Sequence, residues 1–415
     1  MGRTMNAPGR IGIFQAFGVE LEYMIVRQDD LAVFPLADQV LKAVAGSYVS
    51  DVERGPLQWS NELALHLVEL KTNGPSKSLL GLDRVFHADI QAINAILAPL
   101  GGCLMPGAAH PWMDPHTEMK LWPHESSPIY EAFHRIFNCR GHGWANLQSC
   151  HLNLPFGSDE EFGRLHAAIR LLLPLLPALA AASPILDGQR TGLLDARLRE
   201  YRNNCRIIPS ITGDVIPEPV FTPSDYQKFI LQPMYRDIAA HDPEGTLQDE
   251  WLNARGAIAR FDRNTIEIRV LDVQECPLAD IALADLVVRT LEAMTREQWL
   301  SAEKQMAFET GALSSLLEDA IRDGEDAMIC DAHYLAAFGL PQSPRRAREV
   351  WAHILQQAAA DMAPGYRQAI ETILACGTLA RRILQRLPEG FSPAQLRAVY
   401  GDLCRCLAEN RLFTP

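Results

Sequence analysis

Lysine is scarce in this chain: Lys42, Lys71, Lys77, Lys120, Lys228 and Lys304 are the only lysines among 38 basic residues, the rest being arginine. Set against 51 acidic residues, the net charge is -13, and with no clustered basic patch a nucleic-acid surface is excluded. The arginine excess fits genomic composition, although arginine also suits phosphate binding. Long unbroken apolar runs are missing too. The most apolar stretch, Leu171 to Leu186, is interrupted by Pro174, Pro177 and Pro184. It is too broken to span a bilayer and reads as a buried helix ending at the Ser183-Pro184 corner. The first ten residues carry Arg3 and Arg10 without an apolar core, so no secretory leader is expected. Nine cysteines show no zinc spacing, Cys404 and Cys406 being the one close pair, and read as reduced thiols of a cytoplasmic protein. A Gly-rich phosphate loop, a nucleophile-histidine triad, internal repeats and low-complexity segments are all lacking.

What is present is a chain of 415 residues, 48% hydrophobic, long enough for a large core and for two units. Up to about residue 275, strand-like runs (Phe17 to Val26, Leu63 to Leu70, Ser149 to Leu154, Ala257 to Leu271) mix with helical ones (Ser78 to Leu97, Glu160 to Leu179). The mixture lacks a βαβ rhythm, which favours an α+β unit with a mainly antiparallel sheet. From about residue 278 the pattern is helical: Leu278 to Glu297, Arg345 to Ala360, Tyr366 to Leu387, and Pro393 to Asn410 behind a Ser392 cap. The proline-rich stretch Gly213 to Tyr226 reads as a long functional or lid loop.

Four of the strand-like segments carry chemistry. In Thr265-Ile266-Glu267-Ile268-Arg269, alternation puts Glu267 and Arg269 on one face, where they form either a surface ion pair or a cation-and-phosphate site. Glu20 and Glu22 share a face of a strand whose apolar flanks place it deep in a sheet, and such a pair stays ionised only beside a cation or water. Glu62 and Glu69 would fall on opposite faces of one regular strand, so both reach one site only if a turn or bulge intervenes. His66, between them, reads as structural. His151 and Asn153 share a face of a short strand, and a neutral imidazole there can ligate a metal.

Taken in order, Gly18-Val19-Glu20-Leu21-Glu22-Tyr23, the Glu62 and Glu69 pair, Pro106 to Pro111, Cys150-His151-Leu152-Asn153, Ala182-Ser183-Pro184 with Thr191-Gly192 and Arg197-Leu198-Arg199, and Thr265 to Arg269 resemble the glutamate-cysteine ligases. The type 2 branch of these carboxylate-amine ligases is the nearest in pattern, over roughly residues 12 to 300. The chain departs from that pattern at Leu21, where a more acidic element is usual, and at Ala108-Ala109-His110-Pro111, where Gly-Thr-His-Pro is usual.

The resemblance implies a glutamine-synthetase-like domain over 12-300, with a curved, mainly antiparallel sheet flanked by helices. It also implies ATP and Mg2+ as cofactors. By matched position, Glu20, His151 and Glu267 would hold one metal at the nucleotide phosphates. Glu22 and Glu69, with Glu62 as a further candidate, would hold another nearer the acyl substrate. Arg269 would meet the transferring phosphate, and Arg197 and Arg199 are candidates for phosphate or substrate carboxylate. The expected reaction activates a carboxylate, glutamate by resemblance, as an acyl phosphate that an amine such as cysteine then attacks. The implied partners are small molecules (ATP, an amino-acid carboxylate, an amine), with no nucleic acid and no membrane. Two other classes fit parts of the pattern: a two-metal amide hydrolase, which needs no ATP, and a silent binding protein that keeps the fold. The helical region 301-415 carries no recognisable chemistry and reads as a cover for the funnel or a homo-oligomer contact.

Overall fold

The computed structural model describes residues 9-415, so Arg3 and most of the segment on which the absence of a leader was read lie outside the described residues. Among the described residues, eight strands form one sheet and every pairing in it is antiparallel. Its strands are β1 (Gly18–Arg27), β2 (Asp51–Arg54), β3 (Leu57–Asn61), β4 (Leu67–Thr72), β5 (Gly102–Met105) and β6 (Ser149–Pro155). After a two-stranded ribbon of β7 (Ile185–Leu186) and β8 (Gln189–Arg190), β9 (Ala257–Arg260) and β10 (Thr265–Asp272) complete it. The order is β2-β3-β4-β1-β6-β10-β9, and β5 extends beside the far end of β1. This is the expected α+β class with a mainly antiparallel sheet.

Alternation along β1 sorts its residues between two surroundings. Val19, Leu21, Tyr23 and Ile25 enter the main core, which the helices Leu82–Leu97, Asp159–Leu172 and Pro277–Thr295 help to build. On the other face lie Glu20 and Glu22, and further along that face Met24 and Val26 pack in a second apolar cluster with Leu396, Tyr400, Leu403 and Cys406 of the last helix. One face of a single strand is thus acidic at one end and covered by the C-terminal helices at the other. The main core also takes in Ile321, Trp351, Ile354 and Ile370, so the helices after residue 300 share it with the sheet.

Several expected elements differ in extent, each for a local reason. The expected strand from Leu63 begins only at Leu67, because the Leu65 amide bonds to the Lys120 carbonyl and the Leu67 amide turns back to Ala64. Ala257 to Leu271 is a hairpin rather than one strand, turning at Asn264 with φ of 54°. The helix expected from Ser78 starts at Leu82, after Gly81 at φ of 89°. Tyr366 to Leu387 divides into Pro364–Cys376 and Leu379–Arg386, because Gly377 sits at φ of 94°. The Gly213 to Tyr226 stretch is packed rather than lid-like: Val215, Ile216 and Tyr226 are buried, and the Tyr226 hydroxyl accepts from Asn253 Nδ2 and the Ala259 amide. No described helix is long and apolar enough to cross a membrane, and all nine cysteines are free thiols.

Candidate active site

The acidic face is assembled by strand register. Across β1 and β4, Glu22 stands opposite Glu69 and Glu20 opposite Lys71. Across β1 and β6, Glu20 stands opposite His151 and Gly18 opposite Asn153. On β10, Glu267 stands opposite Asn153. Residues directly opposite in antiparallel strands share a face, so these pairings bring Glu20, Glu22, Glu69, His151 and Glu267 together. Gly18 has a steric role: a Cβ there would come within 2.9 Å of Asn153 Cβ. Its absence lets the Asn153 side chain cross the strand and donate from Nδ2 to Glu20 at 2.9 Å.

Arg269 arrives through a bulge. Ile268 pairs with Leu152 and Leu271 with Cys150, so Arg269 and Val270 together oppose His151. Val270 enters the core beside Gly256, whose missing Cβ would lie 2.6 Å from Val270 Cγ1, and Arg269 is left on the acidic face. Its Nε lies 2.9 Å from a Glu267 oxygen, an ion pair without hydrogen-bond alignment.

Glu62 and Glu69 meet because a turn does intervene. Glu62 leaves the end of β3, and Glu69 lies on β4 of the same hairpin. Ligand atoms of Glu22, Glu62 and Glu69 all lie within 4.8 Å of one another, as do those of Glu20, Glu69 and His151. Glu69 therefore belongs to both groups. Glu267, expected beside Glu20 and His151, has a carboxylate oxygen 3.7 Å from His151 Nδ1 but completes neither group.

The other two expected arginines part company. Arg197 is buried: Nη1 donates to Asp272 Oδ1 at 3.2 Å and Nη2 to the Arg269 carbonyl at 2.7 Å, so it braces the β10 backbone beside the site. Arg199, two residues on in the helix Ala196–Asn203, points to solvent and bonds to Glu200, away from the acidic face. His66 is fully buried without a partner, and burial pushes its pKa down to about 3.

Sequence reasoning passed over four contributors. Ser149 donates to Glu22 from its amide at 2.7 Å and from Oγ at 2.9 Å. Ser60 Oγ and Lys71 Nζ both donate to Glu69 Oε2, at 2.5 and 2.6 Å. Lys71 was detectable, since it stands two residues beyond Glu69 on the same face. Asp272 caps the end of β10 by accepting from the Ala182 amide at 2.7 Å, and burial raises its pKa to about 6.

Charge on this face does not balance. Glu20, Glu22, Glu62, Glu69 and Glu267 outnumber the cations not matched elsewhere, Lys71 and Arg269, since Arg197 is paired with Asp272 and both Arg260 and Arg263 with Asp262. Burial first, then the neighbouring Glu22 and Glu69, holds the Glu62 carboxyl well above its usual range. Burial also raises Glu22 and lowers His151 toward the neutral imidazole. A crowded set of carboxylate oxygens with one neutral imidazole is a donor set for a hard divalent cation.

Two cavities meet over these residues. A polar one of about 350 Å³ is lined by Lys71, Arg260, Arg263, Arg269, Ser50 and Ser60 together with the carboxylates. A second of about 280 Å³ shares Glu22, Glu62, Tyr130, His151 and Arg269 with it but is walled by Phe133, Trp144, Trp251 and Leu252.

The fold is shared with solved ligases. A glutamate-cysteine ligase from Francisella tularensis, solved with AMP, superposes with a TM-score of 0.56 at 12% identity over 95% of this chain and 88% of that one. A bifunctional glutathione synthetase from Pasteurella multocida gives 0.54 at 13% identity over 94% of this chain, which spans about half of that protein, 52%. By sequence, the chain matches glutamate-cysteine ligase family 2 (GCS2) over residues 16–401 and belongs to that family. The match runs well beyond residue 300, into the C-terminal helices. An uncharacterized protein of Archaeoglobus fulgidus is 31% identical over 95% of this chain and 99% of its own length. A protein of Nitrosospira multiformis provisionally named glutamate-cysteine ligase 2 is 25% identical over 70% of each chain.

Proposed function

We propose that the protein is an ATP- and Mg2+-dependent carboxylate-amine ligase that activates a carboxylate, glutamate by resemblance, as an acyl phosphate and joins it to an amine. The observation that carries this reading is the convergence of Glu20, Glu22, Glu62, Glu69, His151, Glu267 and Arg269 on one sheet face in a chain of this family. A carboxylate is a poor electrophile, so its oxygen must first be phosphorylated. Glu20, Glu69 and His151 would hold one Mg2+ and Glu22, Glu62 and Glu69 a second, supplying charge neutralisation for the phosphates. Arg269, pinned by the bulge and by Glu267, is positioned to meet the phosphoryl group as its charge spreads. Lys71, Arg260 and Arg263 make the polar cavity suited to the rest of a polyphosphate. The apolar walls of the second cavity exclude water from an intermediate that hydrolyses readily.

The test is ADP release with Mg2+ and ATP across pairs of amino acids and amines, beginning with glutamate and cysteine. ADP is expected only when both an acid and an amine are supplied. No ADP above background with any pair would refute the ligase reading, and product formed without ATP would favour a hydrolase.

A further inference from the structure

Glu69 is claimed from three sides. It belongs to both donor groups, with Glu20 and His151 in one and Glu22 and Glu62 in the other, and a carboxylate that serves two divalent cations turns an oxygen to each. Its Oε2 nevertheless already accepts from Ser60 Oγ at 2.5 Å and from Lys71 Nζ at 2.6 Å. A hydroxyl is neutral and can rotate its proton away, whereas an ammonium is a fully charged donor with no lone pair to offer a metal. Ammonium and dication on one carboxylate oxygen would repel strongly at a site screened from water. Lys71 is built to leave. Its one ion pair among the described residues is with Glu69, its side chain keeps 30% exposure, and it lines the polar cavity with Arg260 and Arg263. It is also one of only six lysines in a chain rich in arginine. An arginine would clamp the carboxylate with a rigid fork, but lysine is a point charge on a flexible stem.

Resting on the ligase reading, we infer that Lys71 stands in for a divalent cation: its ammonium neutralises Glu69 in the free enzyme, competes with the metal for that carboxylate, and on displacement turns into the polar cavity to pair with a phosphate of the nucleotide. Metal arrival and nucleotide binding are thereby coupled through one side chain. The metal releases an ammonium that then donates to a phosphate oxygen, and by reciprocity a bound phosphate lifts the ammonium from Glu69 and clears the metal site. The two roles have opposite signs. Lys71 weakens the binding of metal alone and strengthens the binding of phosphate, whereas a residue that merely oriented Glu69 would strengthen the binding of metal.

Calorimetric titration of the full chain with Mg2+ alone, and then with ADP at saturating Mg2+, reads the two signs. Lys71→Met and Lys71→Gln, the second keeping a neutral donor for Glu69, are each expected to bind Mg2+ roughly tenfold tighter than the unsubstituted protein, because a competing charge is gone. Both should bind ADP roughly tenfold more weakly, because a charged donor to phosphate is lost. Lys71→Arg, which keeps the charge, should bind Mg2+ no more tightly than the unsubstituted protein. Circular dichroism checks that each variant is folded, and either neutral variant suffices. Equal or weaker Mg2+ binding in a folded neutral variant, tighter binding in Lys71→Arg, or unchanged ADP binding would overturn the inference and leave the ligase reading in place. If neither the unsubstituted protein nor the variants bind Mg2+, with or without ADP, the ligase reading itself falls and takes the inference with it.

Discussion

At the scale of single residues, the acidic face is a charge imbalance held in place by hydrogen bonds. Glu62 is where the imbalance is felt most, because burial and the neighbouring Glu22 and Glu69 raise its pKa. Glu62→Gln removes one of three mutually repelling carboxylates, so the metal-free protein is expected to gain on the order of 1 kcal/mol in stability. The same change should diminish the stabilisation given by Mg2+. Thermal unfolding with and without Mg2+ reads both effects, and an unchanged Mg2+ increment would remove Glu62 from the metal site. Arg269 offers a planar fork where lysine offers a point charge. Arg269→Lys is therefore expected to lower ligase turnover by roughly 10²-fold or more with native stability, the scale seen when one positioned donor to developing charge is lost.

At the scale of elements, the bulge in β10 decides whether the Ile-Glu-Ile-Arg strand works as a site. Alternation keeps Glu267 and Arg269 on one face, and the bulge spends both Val270 and Leu271 on the core and so returns Asp272 to reach Arg197. Gly256 is the space into which Val270 fits, with Val215 Cγ1 3.0 Å from where a Cβ would stand. Gly256→Ala is expected to cost about 1–3 kcal/mol by overpacking and to lower activity by shifting Arg269. Urea denaturation and turnover together check this, and a variant of native stability and activity would show that the bulge tolerates displacement. The segment that follows the last helix is tied to the loop after β10 by Arg382 of the helix Leu379–Arg386, which is fully buried and paired with Glu275 while also donating to the Phe413 carbonyl. Arg382→Ala leaves Glu275 buried and unpaired, and a loss of about 3–5 kcal/mol is expected in the same denaturation measurement.

At the scale of the whole molecule, three buried histidines set an acid limit. Burial lowers His66 and His166 to about 3 and His110 to about 4, from an ordinary 6.5. They stay neutral in the folded protein and take up protons only when the chain unfolds. Their contribution is therefore fully present above about pH 6.5 and is lost as pH falls toward 4, by about 1 kcal/mol per pH unit for each histidine. Urea denaturation from pH 7 to pH 4 should show this slope. His166→Phe, which keeps the stack on Phe162, should flatten it by one histidine's share. An unchanged slope in that variant would mean that His166 is not held neutral.

Composition, hydrophobic alternation and two-residue spacing already placed Glu20 with Glu22, Glu267 with Arg269, and His151 with Asn153 on their strand faces, because the period of a strand is a local property of the backbone. The capped last helix was legible for the same reason, with Ser392 and Gln395 forming its capping box. Registers between strands are not local. That Glu69 stands opposite Glu22, that Glu62 reaches it around a hairpin, and that Arg197 faces the site's backbone while Arg199 faces solvent all depend on segments far apart in the chain. The short strands β2, β3 and β5 escaped notice because so few residues give no periodic signal. The aromatic cavity had none either, since Tyr130, Trp144 and Trp251 come from three separate helical segments. The sequence by itself determined which strands carry charge and on which face, through alternation. Only tertiary packing decided which charges meet and what kind of cavity lies beside them, because pairing and burial join residues that no local rule connects.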